Sequence, residues 1–174
     1  VAYANATVDA NVDSETHVFH NGWYGYKHWG IGLACYASYH ENERAPKILA
    51  ALEKDYRERA APALELAGDG GGWAEGYYIH YWLYEWLFFC EVARRCGGVD
   101  YAAMAPKFYR ERAIADLFET YPGPSEYRSY RSIPMGDGGG RTYGGDRDKS
   151  LSARRILVNL YRDDPAHQAV HAFN

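Results

Sequence analysis

The stretch from Trp73 to Arg95 constrains this chain more than any other. It carries Tyr77, Tyr78, Tyr81, Trp82, Leu83, Trp86, Leu87 and Phe88, so apolar side chains fall almost all round a helical period. A helix that is apolar on every side needs other elements wrapped around it. Arg94 and Arg95 at its end suit the helix dipole, and Gly97-Gly98 stop it. Any fold built on such a segment places it in an inner layer.

The rest of the chain supplies helices to cover it. Trp23 to about His40, preceded by Asn21-Gly22, has small and aromatic residues on several faces and reads as a second inner helix. Asn42 is a good N-cap for an amphipathic helix, with Pro46 tolerated in the first turn. Ala45, Ile48, Leu49, Leu52 and Tyr56 follow the period there, Lys47, Glu53, Lys54, Arg57 and Glu58 take the opposite face, and Pro62 lies just past the end. Residues 62–72 read as a loop closing on Asp69-Gly70-Gly71-Gly72. A fourth helix covers about Tyr101 to Tyr121, and Pro122-Gly123-Pro124 then opens a long glycine-rich loop. Ser150 caps a fifth helix through about Arg162, and Pro165 begins a short sixth.

No segment reads as a strand. The expectation is a single all-α domain over residues 1–174, built of stacked αα-hairpins with an inner and an outer layer. Inner helices are expected near 23–40, 73–96 and 150–162, and outer helices near 43–61 and 101–121. Leu33, Leu49, Leu52, Leu83, Leu87 and Leu117 should lie between the layers. The long loops fall at a common end, where stacked hairpins place a binding cleft.

Composition narrows the function classes. Tyrosine is the outlier, with 17 of 174 residues beside 5 Trp and 6 Phe. Rings with an apolar face and a polar tip suit a groove for a polar ligand such as a sugar, and an aromatic-rich core is the plainer explanation. Arg128 to Arg155 holds seven Lys/Arg against Asp137, Asp146 and Asp148, so a chain of net charge −4 carries a basic stretch beside its glycine-rich loop. That stretch can attract an anionic ligand, or it is a solvated loop with scattered charge. The positive charge is modest and fits no nucleic-acid reader, and no apolar run is long enough for a membrane span. Cys35, Cys90 and Cys96 lack metal-ligand spacing and are odd in number, so neither a metal site nor a disulfide framework is expected. The chain starts at Val1 with no signal-like segment, and reads as a mature product or a piece of something longer.

Three constellations carry candidate chemistry. The first is His17-x-x-His20-Asn21-Gly22-Trp23-Tyr24, at the start of the first inner helix. The second is Asp69-Gly-Gly-Gly-Trp73-Ala-Glu75-Gly-Tyr77-Tyr78-Ile-His80-Tyr81-Trp82. The third, Ile133-Pro134-Met135-Gly136-Asp137-Gly138, lies in the long loop with Arg141 following. Each has a structural explanation as well. His20 and Asn21 can cap a helix, Glu75 suits a helix N-terminus, and tyrosines at helical spacing can be core. His80 can be a satisfied buried histidine, and Asp137 a turn residue.

Together and in order, these elements resemble the heparinase II/III-like group of polysaccharide lyases and related alginate lyases. The matching positions are His20-Asn21-Gly22, then Asp69-Gly70 with Glu75 and Tyr81, then Ile133-Pro134 with Gly136-Asp137. The His-Asn order is inverted relative to the group's Asn-His-Gly. The resemblance implies an (α/α) toroid, of which this chain would be about half, and a downstream β-sandwich domain beyond it. It implies β-elimination on a uronate-containing acidic polysaccharide, no cofactor, no metal, and a secreted or periplasmic setting. His20 and Asn21 would neutralise the uronate carboxylate so that an enolate can form at C5. Tyr81 would move the protons, because a phenol near positive charge can act as base and acid. Trp73, Glu75, Tyr77, Asp137 and Arg141 would bind substrate. The alternatives are a toroid glycoside hydrolase using Glu75 and Asp137 as its carboxylate pair, and a non-catalytic carbohydrate-binding helical module. An incomplete toroid would leave apolar helix faces uncovered and prone to self-association.

Overall fold

The computed structural model describes residues 17–20, 23–119 and 144–173, with the backbone alone at 25–27, 77, 144–150 and 171–173. Its α-helices are α1 (Ile31–Ala37), α2 (Ala45–Asp55), α3 (Ala61–Ala67), α4 (Ile79–Val92), α5 (Pro106–Phe118), α6 (Gly144–Leu160) and α7 (Pro165–Phe173). Wider π-helical turns precede α1 at Trp23–Gly30, join α2 to α3 at Tyr56–Ala60, and follow α4 at Ala93–Gly97. Short 3₁₀ turns occupy Asp69–Gly71, Gly76–Tyr78 and Ala102–Met104. Among the described residues there is no strand, and the fold is all-α.

Several boundaries differ from those the sequence suggests. The outer helix does not end at Pro62. Tyr56–Ala60 widens the ladder and α3 carries the helix on to Ala67, so residues 62–67 are helix and not loop. Pro62 sits in the first turn of α3, where the bonding pattern changes and a missing N–H is least costly. The inner helix at Trp73 starts later, because residues 73–78 are turns and α4 begins at Ile79. Likewise the 3₁₀ turn Ala102–Met104 precedes α5, and Pro106 opens the helix with its φ already set. Ser150 is not a cap. α6 begins at Gly144, six residues earlier. Nor is Asn42 the cap of α2: the N-cap is Arg44, with no side-chain cap, and Asn42 closes the turn ahead of it, its side-chain oxygen accepting the Arg44 N–H at 3.1 Å.

Packing follows the apolar pattern. α4 packs against Trp23–Gly30, α1 and α6, while α5 packs against α3, α6, α7 and the Asp69–Gly71 turn. The principal core gathers Trp23, Tyr24, Tyr56, Trp82, Trp86, Leu87, Phe89, Tyr101, Phe108 and Tyr109, with a satellite of Ile31, Cys35, Ile48, Leu49 and Leu52 between α1 and α2. Leu49, Leu52, Leu83 and Leu87 are buried, and Leu33 and Leu117 are partly so. A Cβ on Gly32 would stand 2.3 Å from the Phe89 ring, so a missing side chain lets α1 and α4 approach this closely. Burial of Cys35 and Cys90 accords with their apolar contexts, and Cys96 is exposed. Leu66 (85% exposed), Phe118 (77%) and, on α4, Phe88 stand at the surface, so α4 is not buried on every side.

Candidate functional site

One end of α4 gathers two of the three constellations. His17 to His20 form a tight turn, with the His20 N–H bonded to the His17 carbonyl at 2.9 Å and the Phe19 N–H to His17 Nδ1 at 3.2 Å. The Trp23 N–H then donates to the His20 carbonyl at 3.0 Å, which runs this turn into the π-helical segment. Across from it, Gly76 bonds back to Trp73 at 2.9 Å and Tyr78 to Glu75 at 3.3 Å, a turn that needs Gly76 at φ 57. The contact joining them is Phe19 against Trp73, ring centroids 5.7 Å apart.

On this platform the candidate residues take different positions. His20 is exposed and Glu75 half-buried. Tyr81, 39% exposed, stands in the first turn of α4 with its ring 5.2 Å from that of Tyr78. It is a surface ring rather than a core one. Trp73 requires a correction. Only 9% of it is exposed, with Phe19, Tyr24 and Trp82 packed against it at centroid distances of 5.7, 5.5 and 4.8 Å. It supports the site from beneath and has little face left for a ligand. Asn21, Asp137, Arg141 and the Tyr77 side chain lie outside the described residues, as does the Ile133–Gly138 loop.

The glycine turn that precedes Trp73 is fastened to α5 at three points. Asp69 pairs with Lys107 at 2.7 Å, the Gly70 N–H donates to Glu111 Oε2 at 2.7 Å, and the Gly71 carbonyl accepts from Arg112 Nη1 at 2.6 Å. The Lys107 ammonium holds the Asp69 carboxyl below the usual carboxylate range. Gly71 has φ 75, and a Cβ there would lie 2.6 Å from the Arg112 Cα. Only glycine fits, for both conformation and space.

Arg112 leads into a buried ion network that the sequence does not announce. Its guanidinium also pairs with Glu119 and lies 3.8 Å from Asp116. Asp116 accepts from Arg154 Nε at 2.7 Å, with His80 Nε2 3.9 Å away. Arg112, Asp116, Arg154 and His80 are all buried. They surround a cavity of about 10 Å³, a size for one water molecule. So His80 is a buried histidine beside a carboxylate, and Arg154, counted in the basic loop stretch, points inward. One signal was available: Arg112, Asp116 and Glu119 recur at helical spacing beside Phe108, Tyr109 and Ala113, placing charge on an apolar face. His80, Asp116 and Glu119 offer ligand atoms within 4.8 Å of one another. Their carboxylates are engaged by two guanidiniums, however, and a cation placed among them would meet like charge. The donor set suits ion pairing and not a metal.

Behind the platform, the core fixes α4. Trp86 Nε1 donates to the Tyr109 hydroxyl at 2.6 Å, and the Tyr109 and Tyr56 hydroxyls lie 2.8 Å apart. Burial pushes both phenols well above their usual range, so both stay neutral. Compared with known protein families, curated proteins and solved structures, the chain matches none.

Proposed function

We propose that the chain carries part of a polysaccharide-lyase site acting on a uronate-containing acidic polysaccharide, in a helical domain of the heparinase II/III-like kind. The observation that supports this most is the Phe19–Trp73 contact, which sets the His17–His20 turn beside the Glu75–Tyr81 segment. His20 and Tyr81 are both exposed at that end.

In this reading His20, with Asn21 next to it in sequence, donates to the uronate carboxylate. That withdrawal of charge lets the C5–H bond break to an enolate. Tyr81 takes the C5 proton as a base in its phenolate form. The electron pair forms the C4–C5 double bond as the C4–O4 bond breaks, and O4 leaves with a proton returned from the same phenol. Glu75 accepts from substrate hydroxyls. Hydrogen bonding across Trp86, Tyr109 and Tyr56 keeps α4, and so Tyr81, in place.

The test mixes the chain with alginate, hyaluronan and heparan sulfate and follows near-ultraviolet absorbance, which an unsaturated uronate adds and hydrolysis does not. Absorbance should rise with one of these polymers, and Tyr81→Phe should abolish it while leaving binding and the helical circular dichroism intact. New reducing ends without absorbance would replace the reading with a hydrolase. Binding with no cleavage of any kind would replace it with a carbohydrate-binding module.

A further inference from the structure

His28 is buried completely within the aromatic core, on the π-helical segment that follows the His17–His20 turn. Its Nδ1 lies 3.2 Å from the Trp23 carbonyl oxygen, and its Nε2 lies 3.2 Å from the Leu52 carbonyl oxygen. A carbonyl oxygen only accepts. A neutral imidazole has a single N–H, so one of these two contacts would set a ring lone pair against a carbonyl lone pair. The imidazolium donates to both.

Burial opposes a charged ring, and the aromatic faces around it offset part of that cost. The Trp23 indole lies over it with centroids 3.9 Å apart and a tilt of 34°, and indole is the best aromatic partner for a cation. Trp86 from α4 and Tyr56 from the Tyr56–Ala60 turn approach at 5.6 and 6.5 Å. Among the described residues, the titratable groups of this core include Tyr24 on the same segment, Tyr56, Tyr101, Tyr109 on α5 and Cys90 on α4. Burial raises each of them and keeps each neutral. Beside Leu52, Glu53 pairs with Arg57 at 2.7 Å, and one turn on Asp55 pairs with Arg59 at 3.1 Å.

We propose that His28 is a buried imidazolium that braces the π-helical Trp23–Gly30 segment to α2, and that its proton holds the first turn of the candidate site in shape. The connection is direct at both ends. The Leu52 carbonyl also receives the Tyr56 N–H where α2 widens into its π-helical turn. Trp23, whose carbonyl takes the ring, donates its own N–H to His20. Losing the proton turns one ring nitrogen from donor to acceptor, and one of the two carbonyl contacts must open. The folded state thus binds this proton more tightly than the unfolded chain. The stabilisation is complete at acidic pH, and it is lost as pH rises through the titration of the folded ring. This inference needs only the fold and is independent of the lyase reading.

The test is a long-range proton–nitrogen correlation spectrum of the histidine-labelled chain, with His28 identified by its contacts to Trp23 and Trp86. At about pH 7.5, one unit above the ordinary histidine midpoint, an unperturbed imidazole is neutral. His28 should still show two equivalent, protonated nitrogens. A split, neutral-tautomer pattern for His28 at that pH overturns the proposal. In a second measurement His28→Gln, which supplies one donor and no charge, should flatten the fall in urea stability between about pH 6 and pH 9. An unchanged pH profile in that variant overturns it too. The spectrum of the native chain decides the matter if the variant does not fold.

Discussion

Two groups of rings meet on α4, and their polar tips are treated differently. Around Trp86 the tips close on one another: the indole N–H reaches Tyr109, and Tyr109 reaches Tyr56. Around Trp82, next to the candidate site, rings pack just as closely. Tyr24 stacks on Trp82 with centroids 4.0 Å apart, and Trp73 lies 4.8 Å from the same ring. Yet Trp23 Nε1, Tyr24 OH, Trp73 Nε1 and Trp82 Nε1 are buried there without a hydrogen-bond partner among the described residues. A buried donor left unpaired costs about 1–3 kcal/mol. The distal group therefore combines packing with directional bonds, whereas the site-end group is held by packing and stacking alone.

The largest expected effect tests how the site end is closed from behind, where charges and not ring tips do the fastening. Asp116→Ala leaves the buried Arg154 and Arg112 guanidiniums without their central carboxylate, and should cost about 3–5 kcal/mol in urea unfolding. A loss below about 1 kcal/mol, the ordinary value for a surface pair, would mean the network is solvated. Tyr109→Phe is next. It removes the hydroxyl that serves both Trp86 and Tyr56, and should cost about 1–3 kcal/mol with the helical circular dichroism unchanged. The smallest effect sharpens the contrast from the other side. Tyr24→Phe deletes a hydroxyl that has no partner among the described residues, so stability should stay level or rise by up to about 1 kcal/mol. A loss as large as that of Tyr109→Phe would erase the difference between the two groups.

What was legible in the sequence follows the range of the interactions involved. The all-α class, the burial of α4 and the amphipathic face of α2 rest on side chains a few residues apart, and periodicity exposes them. Pro165 as a helix start is local in the same way. The continuation through Pro62 was hidden because proline usually ends a helix, and a π-helical widening one turn earlier has no distinctive composition. The start of α6 at Gly144 was hidden by glycines that argue for a loop. The contact of Phe19 with Trp73, which sets the His17–His20 turn beside the Trp73–Tyr78 turn, joins residues far apart in the chain and no local pattern carries it. Trp73 was misjudged because the same aromatic residue serves as platform or as core, and only its neighbours decide which. The Arg112, Asp116 and Arg154 network joins α5 to α6 across 38 residues of chain between Asp116 and Arg154. Charged residues are ordinarily assigned to the surface unless a partner is visible.

The unbroken helical run from residue 45 to 67 has a mechanical consequence. At 1.5 Å per residue it is a rod of about 35 Å, comparable to the diameter of a small domain. The chain therefore leaves the Asn42 turn at one pole and delivers the Asp69–Gly71 clamp to the other. Both the Leu52 carbonyl under His28 and the approach to the clamp belong to this one strut. Its amides should exchange with solvent as a single cooperative unit, and slackening at either pole should be felt along its whole length.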